Sequence, residues 1–149
     1  MIRNSIRFAV LYMIVTLVLI ACGAGGLFGG GADYRTDLEG TTWKLTAMGA
    51  EGNPAPAVGD GRVTLAFDFG EGVVRGNGGC NSYSADFEIN GNNISIGLAM
   101  STLMACYPEE IMNQETAFHQ MLTKAERFEV GGGELSIYTL DGQVMVFER

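Results

Sequence analysis

The chain has 149 residues, 47% of them apolar, with 9 basic against 17 acidic residues and a formal net charge of −8 at neutral pH. This acidic balance, with no run of Lys or Arg, repels phosphate backbones and anionic headgroups, so nucleic-acid binding is excluded. Three cysteines and a single histidine leave little material for metal or nucleophile chemistry.

The first signal along the chain is an export leader. Arg3 and Arg7 make a positive start, and residues 8–21 (FAVLYMIVTLVLIA) form an uncharged apolar run. At about 14 residues it has the length of a signal-peptide core and falls short of the roughly 20 that span a bilayer. Residues 1–21 are expected to be removed. Leu19-Ile20-Ala21-Cys22 places an aliphatic residue at −3 and a small one at −1 before a cysteine. It resembles the bacterial lipobox, where lipoprotein signal peptidase cuts after the cysteine is diacylated. Cys22 would then open the mature chain with thioether-linked lipid. Two or three acyl chains, at about 0.8 kcal/mol per buried methylene, suffice for stable anchoring. The expected location is the cell envelope. In a host with two membranes it would be the outer membrane facing the periplasm, because Gly23 is not the aspartate associated with inner-membrane retention. Otherwise it would be the outer face of the plasma membrane.

Residues 22–40 begin with a glycine-rich stretch, Gly23 to Ala32, and continue through polar "DYRTDLEG". Such chain cannot bury enough apolar surface to offset its ordering entropy, so a flexible tether is expected, with an r.m.s. reach of about 23 Å. Residues 41–149 are the size of one domain with one modest core. Two basic residues leave with the leader, so 7 basic face 17 acidic residues in the mature chain, a formal net charge of −10.

Within the domain, Trp43, Leu45 and Ala47 alternate with polar Lys44 and Thr46, and Val63, Leu65, Phe67 and Phe69 alternate likewise. Period two predicts strands with one buried face. Between them, "GAEGNPAPAVGDG" is turn chemistry, with Pro54 and Pro56 fixing an extended loop. "DFEI" and "NISI" flank Asn90-Gly91, and "LSIYTL" and "QVMVFE" flank Asp141-Gly142, pairs that predict two-residue hairpins of type I′. Gly131-Gly132-Gly133 marks another turn. One segment changes period. Pro108 fits a first helical position, Glu109 and Glu110 load the first turn, and Ile111, Met112, Phe118, Met121 and Leu122 recur at helical spacing, predicting an amphipathic helix over about 108–125. The fold class expected is α+β: a single curved antiparallel sheet of about seven or eight strands with one packed helix.

The stretch "VRGNGGCNSYSA", residues 74–85, has the composition of a phosphate loop or a thiol site. A phosphate loop needs Lys and Ser or Thr after its last glycine and then a helix. Cys80-Asn81 and strand-like residues follow here instead. With Cys22 lipidated, Cys80 and Cys106 remain as an even pair in an oxidising compartment, where a disulfide persists. The loop so closed, about 25 residues, corresponds to roughly 3.5 kcal/mol of stabilisation in the chain-entropy treatment. A metal site would have to combine Cys80, Cys106 and His119, none of which has ligand spacing, so no metal is expected. His119 has no neighbouring residue that declares itself as a catalytic partner, and the carboxylates are scattered.

These residues match a family. Trp43-x-Leu45, then Gly76-x-Gly78-Gly79-Cys80-Asn81-x-Tyr83, then Ser101-Thr102-x-Met104-Ala105-Cys106, then Glu115-x-x-Phe118-x-x-x-Leu122 and the final "LSIYTLDGQVMVF" resemble the META domain of HslJ-like heat-shock lipoproteins. The motif positions are Trp43, Gly79, Cys80, Asn81, Thr102, Met104 and Cys106. The resemblance implies a partly open barrel with one helix against it, no catalytic residues and no cofactor. Members of this family are associated with envelope stress, and the function expected here is that of a lipid-anchored, non-catalytic monomer that binds an envelope protein partner or supports envelope integrity under stress. Two alternatives stay open: a carrier whose barrel holds an apolar ligand or lipid tail, and an envelope hydrolase.

Overall fold

The structure is a computed structural model and describes residues 34–149. The leader, Cys22 and the glycine stretch lie outside the described residues.

The alternating segments fold as strands and bury the faces their period marks. They are β1 (Trp43–Ala50), β2 (Ala55–Pro56), β3 (Thr64–Asp68), β4 (Val73–Asn77), β5 (Ser82–Asn90), β6 (Asn93–Ile96) and β7 (Met100–Ser101), then β8 (Ala125–Gly131), β9 (Glu134–Thr139) and β10 (Gln143–Glu148). Trp43 and Leu45 of β1, Leu65 and Phe67 of β3, and Tyr83, Ala85 and Phe87 of β5 all point into one core. Eight strands follow one another in chain order around the sheet, each antiparallel to the next, and β10 returns to pair with β1 from Lys44↔Glu148 to Ala50↔Gln143. The result is a barrel-like antiparallel sheet. Closure removes the long unpaired edge that an open meander would expose. The thinnest seam joins β6 to β8 through a single paired position, Asn93↔Arg127. The two short strands lie beside the ring: β2 pairs with β1, and β7 with β5. Pro56 is tolerated in β2 because that strand is an outer edge.

Two helices meet the barrel. The short α1 (Tyr34–Leu38) falls within the expected tether but belongs to the fold: Leu38 is fully buried, Tyr34 meets the Phe128 ring edge-on at 5.6 Å, and Glu39 bridges to Phe67. The expectation of a flexible chain up to Gly40 missed one apolar residue with a place in the core. The main helix, α2, runs Glu109–Leu122, shorter than 108–125. Pro108 stands just before the helix, in the extended conformation of a capping residue (φ −74°, ψ 162°), and not at the first helical position. Ile111, Glu115, Phe118, Met121 and Leu122 form the buried face of α2, and Phe118 packs edge-on against Tyr83 at 5.5 Å.

The turns differ in register from the sequence expectation. The β5–β6 hairpin pairs Asn90 with Asn93, so its loop is Gly91-Asn92, and of these only Gly91 has positive φ. The β9–β10 loop is three residues long, with Gly142 alone at positive φ. Positive φ at both central positions occurs instead at Gly132-Gly133, between paired Gly131 and Glu134, so the turn with type I′ character joins β8 to β9.

Gly76 shows how tightly the ring is drawn. A Cβ there would overlap the Thr64 carbonyl oxygen, the same oxygen that accepts the Tyr83 hydroxyl at 3.0 Å. Gly76→Ala should therefore destabilise the domain by about 2 kcal/mol or more, whereas Gly131→Ala, with open space at its Cβ, should stay within about 0.5 kcal/mol of wild type. Urea unfolding of the two variants side by side is the measurement, and equal midpoints would contradict the close approach.

Candidate functional site

The family-motif residues other than Trp43 converge where the glycine loop 77–81, the segment 102–106 and helix α2 meet. On α2 the apolar stripe Ile111, Phe118, Leu122 is interrupted by Glu115, one helical turn after Ile111 and 5% exposed. Its carboxylate is received by the loop. Oε1 accepts the backbone N–H groups of Cys80 (3.2 Å) and Asn81 (2.6 Å), and Oε2 accepts the Asn81 side-chain amide at 2.7 Å. The loop is itself shaped for this, since Gly79 N–H donates to Asn77 Oδ1 at 2.7 Å and Gly78 N–H to the Asn81 carbonyl at 2.7 Å. Successive backbone N–H groups turned inward form an anion-binding concavity. Here the anion is the chain's own Glu115.

Asn81 carries the arrangement on to the next segment. Its amide also donates to the Met104 carbonyl (3.2 Å), while its Oδ1 accepts the Thr102 hydroxyl (2.8 Å) and the Met104 N–H (2.7 Å). Every side-chain hydrogen-bonding position of this buried asparagine is thus used. The disulfide between Cys80 and Cys106, with Cα atoms 5.8 Å apart, fastens the same two segments covalently. Thr102 and Met104 matter through Oγ1 and the backbone respectively, and the Met104 side chain itself is exposed.

Two glycines allow α2 to approach. A Cβ on Gly78 would lie 2.6 Å from Glu115 Oε1 and 3.0 Å from His119 Nε2. Gly79 sits at φ +120°, with Ile111 3.3 Å from where its Cβ would be. Trp43, the remaining motif residue, is fully buried in the core away from this network, with the Arg149 guanidinium 5.7 Å from its ring.

His119 lies one turn beyond Glu115, its ring 5.3 Å from Tyr83 and 5.8 Å from Phe118. Nε2 is buried without a hydrogen-bond partner among the described residues. Burial holds its pKa below the usual histidine value, and the Glu115 charge offsets part of that effect. Tyr83 is held well above the ordinary tyrosine value by burial and remains a neutral donor. Among the described residues no group of three metal-binding side chains assembles, and Cys80 and Cys106 are joined to each other.

The sequence places Glu115 in the family pattern Glu115-x-x-Phe118-x-x-x-Leu122 without giving it a role. Its signal was visible as a charge on the apolar face of a helix, but nothing local said which donors would meet it. Replacing it with Gln keeps Oε1 and turns an amide toward the Asn81 amide, donor against donor. Glu115→Gln should lower stability by about 1.5–3 kcal/mol, and Asn81→Ala by at least as much, since it leaves the carboxylate short of donors. Denaturant midpoints test both. For His119 the sign is as follows: above pH 6.5 both states are neutral there. As pH falls below 6.5 the unfolded chain takes the proton first and the fold loses stability, until pH passes the lower native value. His119→Gln should flatten the stability profile between about pH 7 and 5.

The META domain family model matches residues 36–149. The fold recurs in solved structures. An NMR structure of a protein from Burkholderia xenovorans is similar over 76% of this chain and 84% of that one, at 26% identity and a TM-score of 0.63. A second NMR structure matches over 76% of this chain and 92% of its own at 14% identity and a TM-score of 0.57. A crystal structure of a DUF4847 family protein from Bacteroides vulgatus matches over 77% and 96% at 11% identity and 0.55. These last two show the fold alone. No match was found among curated proteins. With the family model aligned from α1 to the last strand, and the motif residues other than Trp43 gathered at the loop that receives Glu115, the chain belongs to the META domain family.

Proposed function

We propose that this protein is a lipid-anchored, monomeric component of the cell envelope that acts by holding a protein partner under envelope stress, and not by turning over a substrate. The observation that carries this reading is the use already made of the buried polar groups: Glu115 and Asn81 satisfy each other and the loop, so the buried carboxylate is structural. His119 faces Tyr83 and Phe118, with Glu115 as its charged neighbour, and that neighbour is engaged by the loop. A hydrolase would need an acid and base free to exchange protons with a substrate. The carrier reading has its own counterweight: Trp43, Phe67, Phe87, Phe118 and Phe147 fill the barrel as one continuous core. An apolar ligand would have to displace them.

The anchor rests on the lipobox before Cys22. Cys22→Ser should block maturation and leave full-length precursor in the membrane fraction. Intact-mass analysis of mature wild-type protein should show the lipid adduct on Cys22, and an unmodified cysteine there would remove the anchor. The occupancy reading is tested in a deletion strain complemented at matched protein levels. His119→Ala should keep stress tolerance near wild type, because loss of a true acid–base group costs orders of magnitude in rate. Trp43→Ala, costing about 3–5 kcal/mol in the core, should behave as the deletion. A folded, abundant His119→Ala protein with the deletion phenotype would favour an enzyme.

A further inference from the structure

The segment leading from β6 to α2 is apolar on the outside. Leu98 is 85% exposed, Met100 79%, Leu103 96%, Met104 57% and Tyr107 92%. Five large apolar side chains within ten residues exceed the scattered exposure usual for a soluble domain, and Met and Tyr are residue types enriched at protein interfaces. The backbone beneath them is not loose. β7 pairs with β5, Thr102 N–H donates to the Ser82 carbonyl at 3.1 Å, Asn81 holds both polar groups of the Met104 backbone, and Cys106 is bonded to Cys80. The buried network therefore presents these side chains on a fixed frame, which lowers the ordering cost of binding.

The charge around the stripe selects the occupant. From Gly76 to Thr123 the sequence contains no Lys or Arg and five acids. Of these Glu115 is buried, whereas Asp86, beside Gly97, and Glu109 and Glu110, immediately after Pro108, flank the stripe at the surface. At its far end Glu110 and Asp60 share a groove with Arg62, the one cation there among the described residues. Two copies meeting face to face would set Glu109 and Glu110 against their equivalents, and an anionic bilayer would meet the same acids. A polypeptide with apolar side chains flanked by Lys or Arg satisfies both the stripe and its rim.

We propose that the stripe formed by Leu98, Met100, Leu103, Met104 and Tyr107 is a docking surface for a partner polypeptide whose apolar anchors are flanked by basic residues. This deepens the occupancy reading by naming its surface and the chemistry of its partner. The test places a benzophenone photocrosslinking amino acid at Leu103 or Tyr107 in the full-length protein in its native envelope, with Glu71, exposed in the β3–β4 turn, as the control position. The expected result is a crosslink from 103 and 107, absent from 71, that maps by mass spectrometry to one segment of another protein containing apolar residues flanked by Lys or Arg. Glu109→Gln combined with Glu110→Gln should reduce its yield by about threefold or more, with a further reduction at high salt. Adducts to lipid, to a second copy, to this chain's own residues 1–33 or to an acidic segment would each overturn the proposal, as would no adduct at all. Failure here with stress tolerance intact in His119→Ala removes this surface and leaves the occupancy reading standing. A deletion-like His119→Ala removes that reading, whatever the crosslinks show.

Discussion

A carboxylate taken out of water needs its donors supplied, and the structure around α2 is organised by that requirement. Glu115 sits on the buried face of the helix, and the cost of an unpaired buried charge is several kcal/mol. Two backbone N–H groups and one side-chain amide meet it. To deliver those donors, the chain at 77–81 must turn its N–H groups to one side, have no side chain at Gly78, and place Asn81 where its other atoms reach residues 102 and 104. Helix, glycine loop and the segment before the helix are thereby held to one another through a single group. The disulfide repeats the connection covalently between the loop and that segment.

Around this centre the barrel supplies stability and little freedom. Strands that follow one another in sequence also neighbour one another in the sheet, so most pairings close short loops, and the most distant pairing, β1 with β10, joins the two ends of the domain. The aromatic residues Phe67, Phe69 and Phe87 pack edge-to-face or tilted with centroids 5.1–6.1 Å apart where α1 meets the sheet, and Phe118 of α2 packs against Tyr83 at 5.5 Å and Phe147 at 6.4 Å. Ion pairs add small surface contributions. Arg75 bonds both Asp68 and Glu71, and Lys124 reaches Asp141 at 2.7 Å, which with the Thr139 hydroxyl holds the Asp141 carboxyl down at about 2. Each such exposed pair contributes modestly and is screened by salt.

For function, the contrast is between a buried carboxylate network whose hydrogen bonds are complete and an apolar surface left in water. Buried polar groups with complete hydrogen bonding have nothing left to offer a substrate, which is why the Glu115 network reads as architecture. The same network immobilises residues 102–106, and residues 98–107 are where apolar side chains remain in water. In the proposed reading, this rigid apolar stripe with its acidic surround is the surface a partner polypeptide would meet.

How much of this was legible depends on the distance over which each feature is encoded. Strand and helix periods are local, so Trp43-x-Leu45, the run from Val63 to Phe69, the helix of Ile111 and Phe118, and the positions of the hairpins could be read directly. Cysteine parity and the expected oxidising compartment together pointed to the Cys80–Cys106 pair, which the structure contains. Turn register was less secure, because an Asn-Gly or Asp-Gly pair marks a bend without stating which two residues occupy its centre. The pairing across the sheet moved the hairpin centre to Gly91-Asn92 and put the double positive φ at Gly132-Gly133. Leu38 looked like one apolar residue in a polar tether until the fold provided the core site that buries it. The role of Glu115 was beyond local reading altogether. Its donors lie 34 and 35 residues away in sequence, and only the folded barrel brings the loop N–H groups to the helix. Periodicity specifies which face of a segment is apolar. What that face meets, and whether a charge upon it is an error or a keystone, is decided by the tertiary structure, because the partners are chosen by three-dimensional proximity and not by spacing along the chain.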